Sequence, residues 1–187
     1  MVGKKNVVFG FLFLVLTAGL GPFMAVKYVP DVNKFRAEKQ QVLGPLQELQ
    51  MNQFEQDLDP LSADKIAKEN TGGILVINKL YNAESPVNDI KGGPHAHGNL
   101  EALLNIVVGI FLGTIAVSNV FKQVISWTFI AGTLLHSGVL YLAVIFQQAW
   151  AAQLMGLGIG PVLILLGLFL GGVAAIMGFR GKQPAEI

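Results

Sequence analysis

Gly92-Gly93-Pro94-His95-Ala96-His97-Gly98-Asn99-Leu100-Glu101 runs without a break into a stretch, 102–121, that contains no Lys, Arg, Asp or Glu. A helix of about 20 residues rises about 30 Å, the thickness of a bilayer's hydrocarbon core. The stretch therefore reads as the mouth of a transmembrane helix. Polar groups that reach lipid are costly unless paired or bound to something. Two histidines, an asparagine and a carboxylate at such a place are the first candidates for function.

Working outward, the rest of the chain has the same character. Of 187 residues 52% are hydrophobic and only 13% charged, against about a quarter charged in soluble domains. Apolar runs of membrane length occur at 7–26, 100–121, 124–146 and 153–179. The expected fold is an all-α membrane protein with four transmembrane helices and an extracytoplasmic, partly helical segment between the first and second. Its divisions are 1–27, the first transmembrane helix, 28–98, the extracytoplasmic segment, and 99–187, a three-helix transmembrane region. Lys4 and Lys5 precede the first run, Lys122 falls in a tight turn between the second and third, and Arg180 and Lys182 follow the fourth. The positive-inside rule puts these sites, and both termini, in the cytoplasm of a cell (inner) membrane protein. The first run has the lysine pair of a secretory signal. Its apolar part is longer than the usual 7–15 residues and no Ala-x-Ala closes it, so it reads as a retained anchor, with Gly19, Gly21 and Pro22 kinking its outer end.

Net charge is +1 and cysteine is absent. The first offers no basic surface for nucleic acid; the second excludes disulfides, thiolate metal sites and a cysteine nucleophile. The partners expected are the bilayer and either further copies of the chain or a larger membrane complex. Segment 28–98 carries ten carboxylates against seven cations, a mixed surface suited to solvent. Helical spacing at 33–41 and 46–58 is broken by Gly44-Pro45, and Asp59-Pro60 is placed to start a short helix that 70–73 would stop. The apolar run 74–81 is compatible with strand or helix. The segment reads as a helical cap or as a docking domain for a partner.

On a helix, His97, Glu101 and Asn105 follow at i, i+4 and i+8 and share a face. Alternatively, Gly98-Asn99 caps the helix and leaves His97 just outside it. Counting inward from the outer surface, Asn105 lies about 8 Å deep. On the third run, Thr133, His136, Ser137 and Tyr141 form a polar stripe. Counting from its outer end places Tyr141 level with Asn105 and His136 about 16 Å deep, too deep to sit opposite His97. These depths suggest an outward-opening pocket with His97 at the rim and Asn105, Tyr141 and His136 on its walls. Imidazoles and one carboxylate without sulfur suit either a haem or a transition metal. His97 or His136, with Glu101 beside them, would hold the cofactor, and His95 with His97 and Glu101 could converge on a zinc or copper ion. Solvated interfacial histidines, and for His136 a hydrogen bond between helices made through Ser137 or Thr133, are the plainer readings. In the fourth run Gly167-x-x-x-Gly171 favours close helix packing, and Trp127 and Trp150 read as interface anchors.

His95-Ala96-His97-Gly98-Asn99-Leu100, followed by a long apolar helix containing Gly109, resembles the haem-ligand helix of small membrane proteins related to subunit I of haem-copper oxidases. The resemblance implies iron ligation by His97. The order Ala96-His97, Asn105 and Tyr141 over four spans also resembles the styrene oxide isomerase family, in which ferric haem b between subunits acts as a Lewis acid on an epoxide. That resemblance implies His97 as iron ligand and Asn105 and Tyr141 as catalytic residues beside the substrate. The functional expectation is haem b near the outer leaflet serving isomerase-like Lewis-acid chemistry or electron transfer. The alternative is a cofactor-free accessory subunit of a respiratory or oxygenase complex.

Overall fold

A computed structural model of the chain describes residues 2–56 and 59–179; Arg180 and Lys182, used above for orientation, lie outside them. The described residues are overwhelmingly helical and form two compact units. One consists of residues up to Gly21 together with those from Ile90 onward, the other of Pro22–Asp89. Four helical stretches are long and apolar enough to cross a membrane, lying within Lys4–Lys27, Ala63–Thr114, Asn119–Ile145 and Ile159–Gly178.

α1 (Lys4–Ala18) passes through Gly19, which keeps a helical conformation (φ −58°, ψ −20°), into α2 (Leu20–Lys27), so no sharp kink marks the glycine. A break in the backbone at Gly93 (φ −97°, ψ −109°) sits within a π-helical turn, Lys91–His95, that leads into α5 (Ala96–Thr114). His97 is thus inside the helix, and Gly98-Asn99 is not its cap. Ile115 turns extended and ends α5, and Ser118 caps α6 (Asn119–Thr133) by accepting a hydrogen bond from the Phe121 amide at 3.3 Å. The turn between the second and third spans is therefore 115–118, and Lys122 lies in the first turns of α6 rather than in the connection. A second π-helical turn, Leu134–Gly138, carries the chain into α7 (Val139–Ile145). The last apolar run is broken: α8 (Ala149–Gly156) and α9 (Ile159–Gly178) are separated by Gly158 at φ +67°, a left-handed conformation that costs a residue with a Cβ about 1–2 kcal/mol. The fourth span accordingly starts at Ile159, not at 153.

Successive spans pack antiparallel. Along α1 and α5, Asn6 meets Asn105 and Thr17 meets Asn99. The backbones approach so closely that a Cβ on Gly109 would lie 2.7 Å from the Gly3 carbonyl oxygen and 2.9 Å from the Val7 amide nitrogen. Gly167 of α9 packs against the Phe129 ring of α6, at 2.9 Å from an added Cβ, whereas Gly171 faces open space. Only the first half of the small-residue pair thus serves packing within the chain. The apolar core lies on α5, α6 and α9, around Leu112, Ile125, Phe129 and Ile164.

In the second unit, α3 (Val29–Met51) runs unbroken through Gly44-Pro45 and α4 (Ala63–Ile90) through Gly72-Gly73 and Pro86. The expected stops at 44–45 and 70–73 do not occur. At Gly73 the missing side chain is what allows the Leu46 side chain to approach. Asp59-Pro60 does not start a helix but pairs as a short antiparallel ladder with Glu55-Gln56, and α4 begins after Ser62, whose hydroxyl accepts from the Lys65 amide at 3.3 Å. The run 74–81 is helical. Arg36–Glu84 at 2.8 Å and Lys79–Glu38 at 3.9 Å bridge α3 and α4 on their exposed sides, where such pairs contribute little.

Candidate metal centre

The first unit is stitched by a seam of polar side chains between α1, α5 and α6. At its base the buried Asn6 amide donates to Asn105 Oδ1 (3.0 Å) and to the Ser126 carbonyl (3.1 Å), while the Ser126 hydroxyl donates to Asn6 Oδ1. One layer further, Asn105 Nδ2 donates to Thr133 Oγ1 (2.8 Å) and to the Glu101 carbonyl (3.0 Å). Asn6, Asn105, Ser126 and Thr133 are all fully buried, and every polar atom of the two asparagine side chains has a partner. This is how amides survive among apolar helices: each unmet group there would cost on the order of 1–3 kcal/mol.

The next layer is different. Glu101 is 4% exposed, and its Oε1 pairs with Nδ1 of His136, but its Oε2 is buried with no hydrogen-bond partner. A buried carboxylate is stable only when its lone pairs are met by donors or a cation. Above it, one helical turn back on α5, His97 is exposed and its ring lies 5.0 Å from that of His136, at 60°. One ligand atom each from His97, Glu101 and His136 falls within 4.8 Å of the others. A tetrahedral ion with bonds of about 2.1 Å wants ligand atoms about 3.4 Å apart, so the set closes through small side-chain movements. His136 sits in the π-helical turn Leu134–Gly138, a feature frequent at functional sites, and His97 follows the backbone break at Gly93. The hydroxyl of Ser137, beside His136, is the other buried polar side-chain atom without a partner among the described residues.

The residues expected at this site are sorted by the fold. His97, Glu101 and His136 come together. His136 is level with Glu101, which corrects the depth that kept it from His97, and Thr133 rather than Tyr141 is level with Asn105. The hydrogen bonds join 105 to 133 and 101 to 136, about two helical turns from the register counted off the outer ends of 100–121 and 124–146. Tyr141 instead packs its ring on Phe146, with centroids 5.9 Å apart. His95 is turned to α1, where its Nδ1–H donates to the Thr17 carbonyl at 2.9 Å. The Thr17 hydroxyl donates to Asn99 Oδ1 at 2.8 Å. Two residues apart on a helix point to different sides, so once residues 95–97 are helical His95 does not join His97 on one ion. Asn6 and Ser126 went unremarked in the sequence; an asparagine opening the apolar run of α1 was the available signal. Comparisons with protein-family models, with curated proteins and with solved structures find no match, so the chemistry of the site rests on its own geometry.

Proposed function

We propose that this chain is a multi-pass membrane metalloprotein in which His97, Glu101 and His136 hold one transition-metal ion between the second and third spans. The observation that carries the reading is the buried, unpartnered Glu101 Oε2 within a three-residue set whose ligand atoms already lie within 4.8 Å. Two imidazoles and one carboxylate suit zinc or iron, and three protein ligands leave a coordination position open, as catalytic rather than structural centres do. Such an ion supplies Lewis-acid activation of an oxygen-bearing substrate. The chain's own part is to hold the ligands on two helices that the Asn6–Asn105–Thr133 seam keeps in register. It also exposes one ligand, His97, on the side from which a substrate would arrive.

Haem b on His97, serving Lewis-acid chemistry or electron transfer, is the second reading. It is favoured by the exposure of that imidazole, which a haem between copies of the chain would need. Elemental analysis and an absorption spectrum of detergent-purified protein separate the readings. The expected result is close to one zinc or iron per chain, lost on His136→Ala, with no Soret band. A Soret band that disappears in His97→Ala would replace the metal centre by haem. Absence of both, in protein made with ample supply of each, would overturn both and leave an accessory subunit of a membrane complex.

A further inference from the structure

The other end of the first unit carries a feature of opposite charge. A groove of about 670 Å³ runs along the start of α1, walled by Val8, Phe9 and Leu12 and headed by Lys4, Lys5 and Gln123. Lys4 is exposed. Lys5 is held in place: its ammonium donates to Gln123 Oε1 and sits 4.0 Å from the centre of the Trp127 ring. These partners fix the position of its charge without neutralising it. Among the described residues of this unit Glu101 is the only carboxylate, and it belongs to the seam's far end, beyond Asn6 and Asn105. The cations of the groove therefore have no acidic partner among the described residues of their unit.

A pair of cations above an apolar wall, next to a tryptophan, is complementary to an anionic amphiphile with its head at the lysines and a chain along α1. We infer that the groove is a binding site for an anionic phospholipid, with the phosphate on Lys4 and Lys5 and one acyl chain against Val8, Phe9 and Leu12. The lysines are those that the positive-inside rule assigns to the cytoplasmic side, the side on which anionic lipids impose a negative surface potential. Gln123 and Trp127 orient Lys5 before the lipid arrives, so less ordering is needed on binding.

The test is native mass spectrometry of the full chain released from micelles containing equal amounts of phosphatidylglycerol and phosphatidylcholine, with thermal unfolding in the same mixtures. A lysine near anionic lipid is worth about fivefold in affinity, so the pair should give a preference of about 30-fold for phosphatidylglycerol. Lys4→Gln/Lys5→Gln should remove that preference while the helical circular dichroism is retained. Lys122→Gln, a cation of the same end outside the groove, should keep it. Lys4→Gln alone, at an exposed position, should lower it about fivefold. Equal retention of the two lipids by the unmodified chain would overturn the inference. So would a preference that survives in the double variant, or one lost equally in Lys122→Gln. Glycerol phosphate stabilising the protein as much as the phospholipid would also overturn it, because the apolar wall would then have no part.

Discussion

Glu101→Gln separates a metal centre from a plain ion pair, because only the first makes the stability of the chain depend on added metal. The substitution keeps the shape and the oxygen that His136 Nδ1 meets, but removes the only negative charge among the three ligands. Losing a group that merely supports a metal ligand weakens binding by about 10–100-fold, so loss of the anionic ligand itself should weaken it at least about 100-fold. At a free metal concentration 100 times the dissociation constant of the unmodified protein, bound metal stabilises the fold by about 2.7 kcal/mol; in the variant about 0.4 kcal/mol would remain. For 187 residues, at about 2–4 °C per kcal/mol, the metal-induced rise in Tm should fall from about 5–11 °C to about 1–2 °C. Without metal the variant keeps the hydrogen bond to His136 and exchanges an unpartnered carboxylate oxygen for an unpartnered amide nitrogen, so it should lose about 1–3 kcal/mol. Thermal unfolding in detergent, with zinc or ferrous iron titrated under anaerobic conditions, reads both quantities. If the role is only to pair with His136, no metal-dependent shift appears in the unmodified chain, and the variant differs from it by the same amount with and without metal. That pattern would refute the metal centre.

Further expectations concern the frame that holds the site. Asn105→Ala removes bonds to Asn6, Thr133 and the Glu101 carbonyl; at about 0.6 kcal/mol for each membrane hydrogen bond plus the space vacated, detergent unfolding should show a loss of roughly 2–3 kcal/mol, with metal still bound. Gly109→Ala would press a methyl group onto the backbone of Gly3 and Val7 and should cost about 1–3 kcal/mol. Gly171→Ala, which meets nothing within 4 Å, should be neutral or slightly stabilising by the same measurement, and equal losses at the two positions would contradict the α1–α5 contact. Gly158→Ala should cost about 1–2 kcal/mol because its φ of +67° is left-handed; an unchanged Tm would mean that the α8–α9 break does not depend on that conformation.

The sequence by itself determined that the chain has four membrane-length apolar helices, because length and hydropathy suffice for that. It also put Glu101 and Asn105 on one face of the second, because their spacing matches the helical period, and left His97 either on that face or just outside the helix. The continuity of α3 and α4 was not legible. Glycine and proline cost about 1 and 3 kcal/mol inside a helix, and whether packing offsets that, as where Gly73 admits Leu46, depends on the neighbouring helix. Which residue faces which across α5 and α6 was decided by the tertiary structure alone. A uniform apolar run from 102 to 121 does not reveal that the chain turns at 115–118, and moving that turn by a few residues slides every pairing along the helices. The register the two helices adopt brings His136 rather than Tyr141 to Glu101 and His97. The rotation of α5 against α1 gives His95 to Thr17, and the tight approach of the two helices places Asn6 beneath Asn105. Spacing along one helix is local chemistry; the register between helices is set by side chains far apart in sequence, and the site exists only in that register.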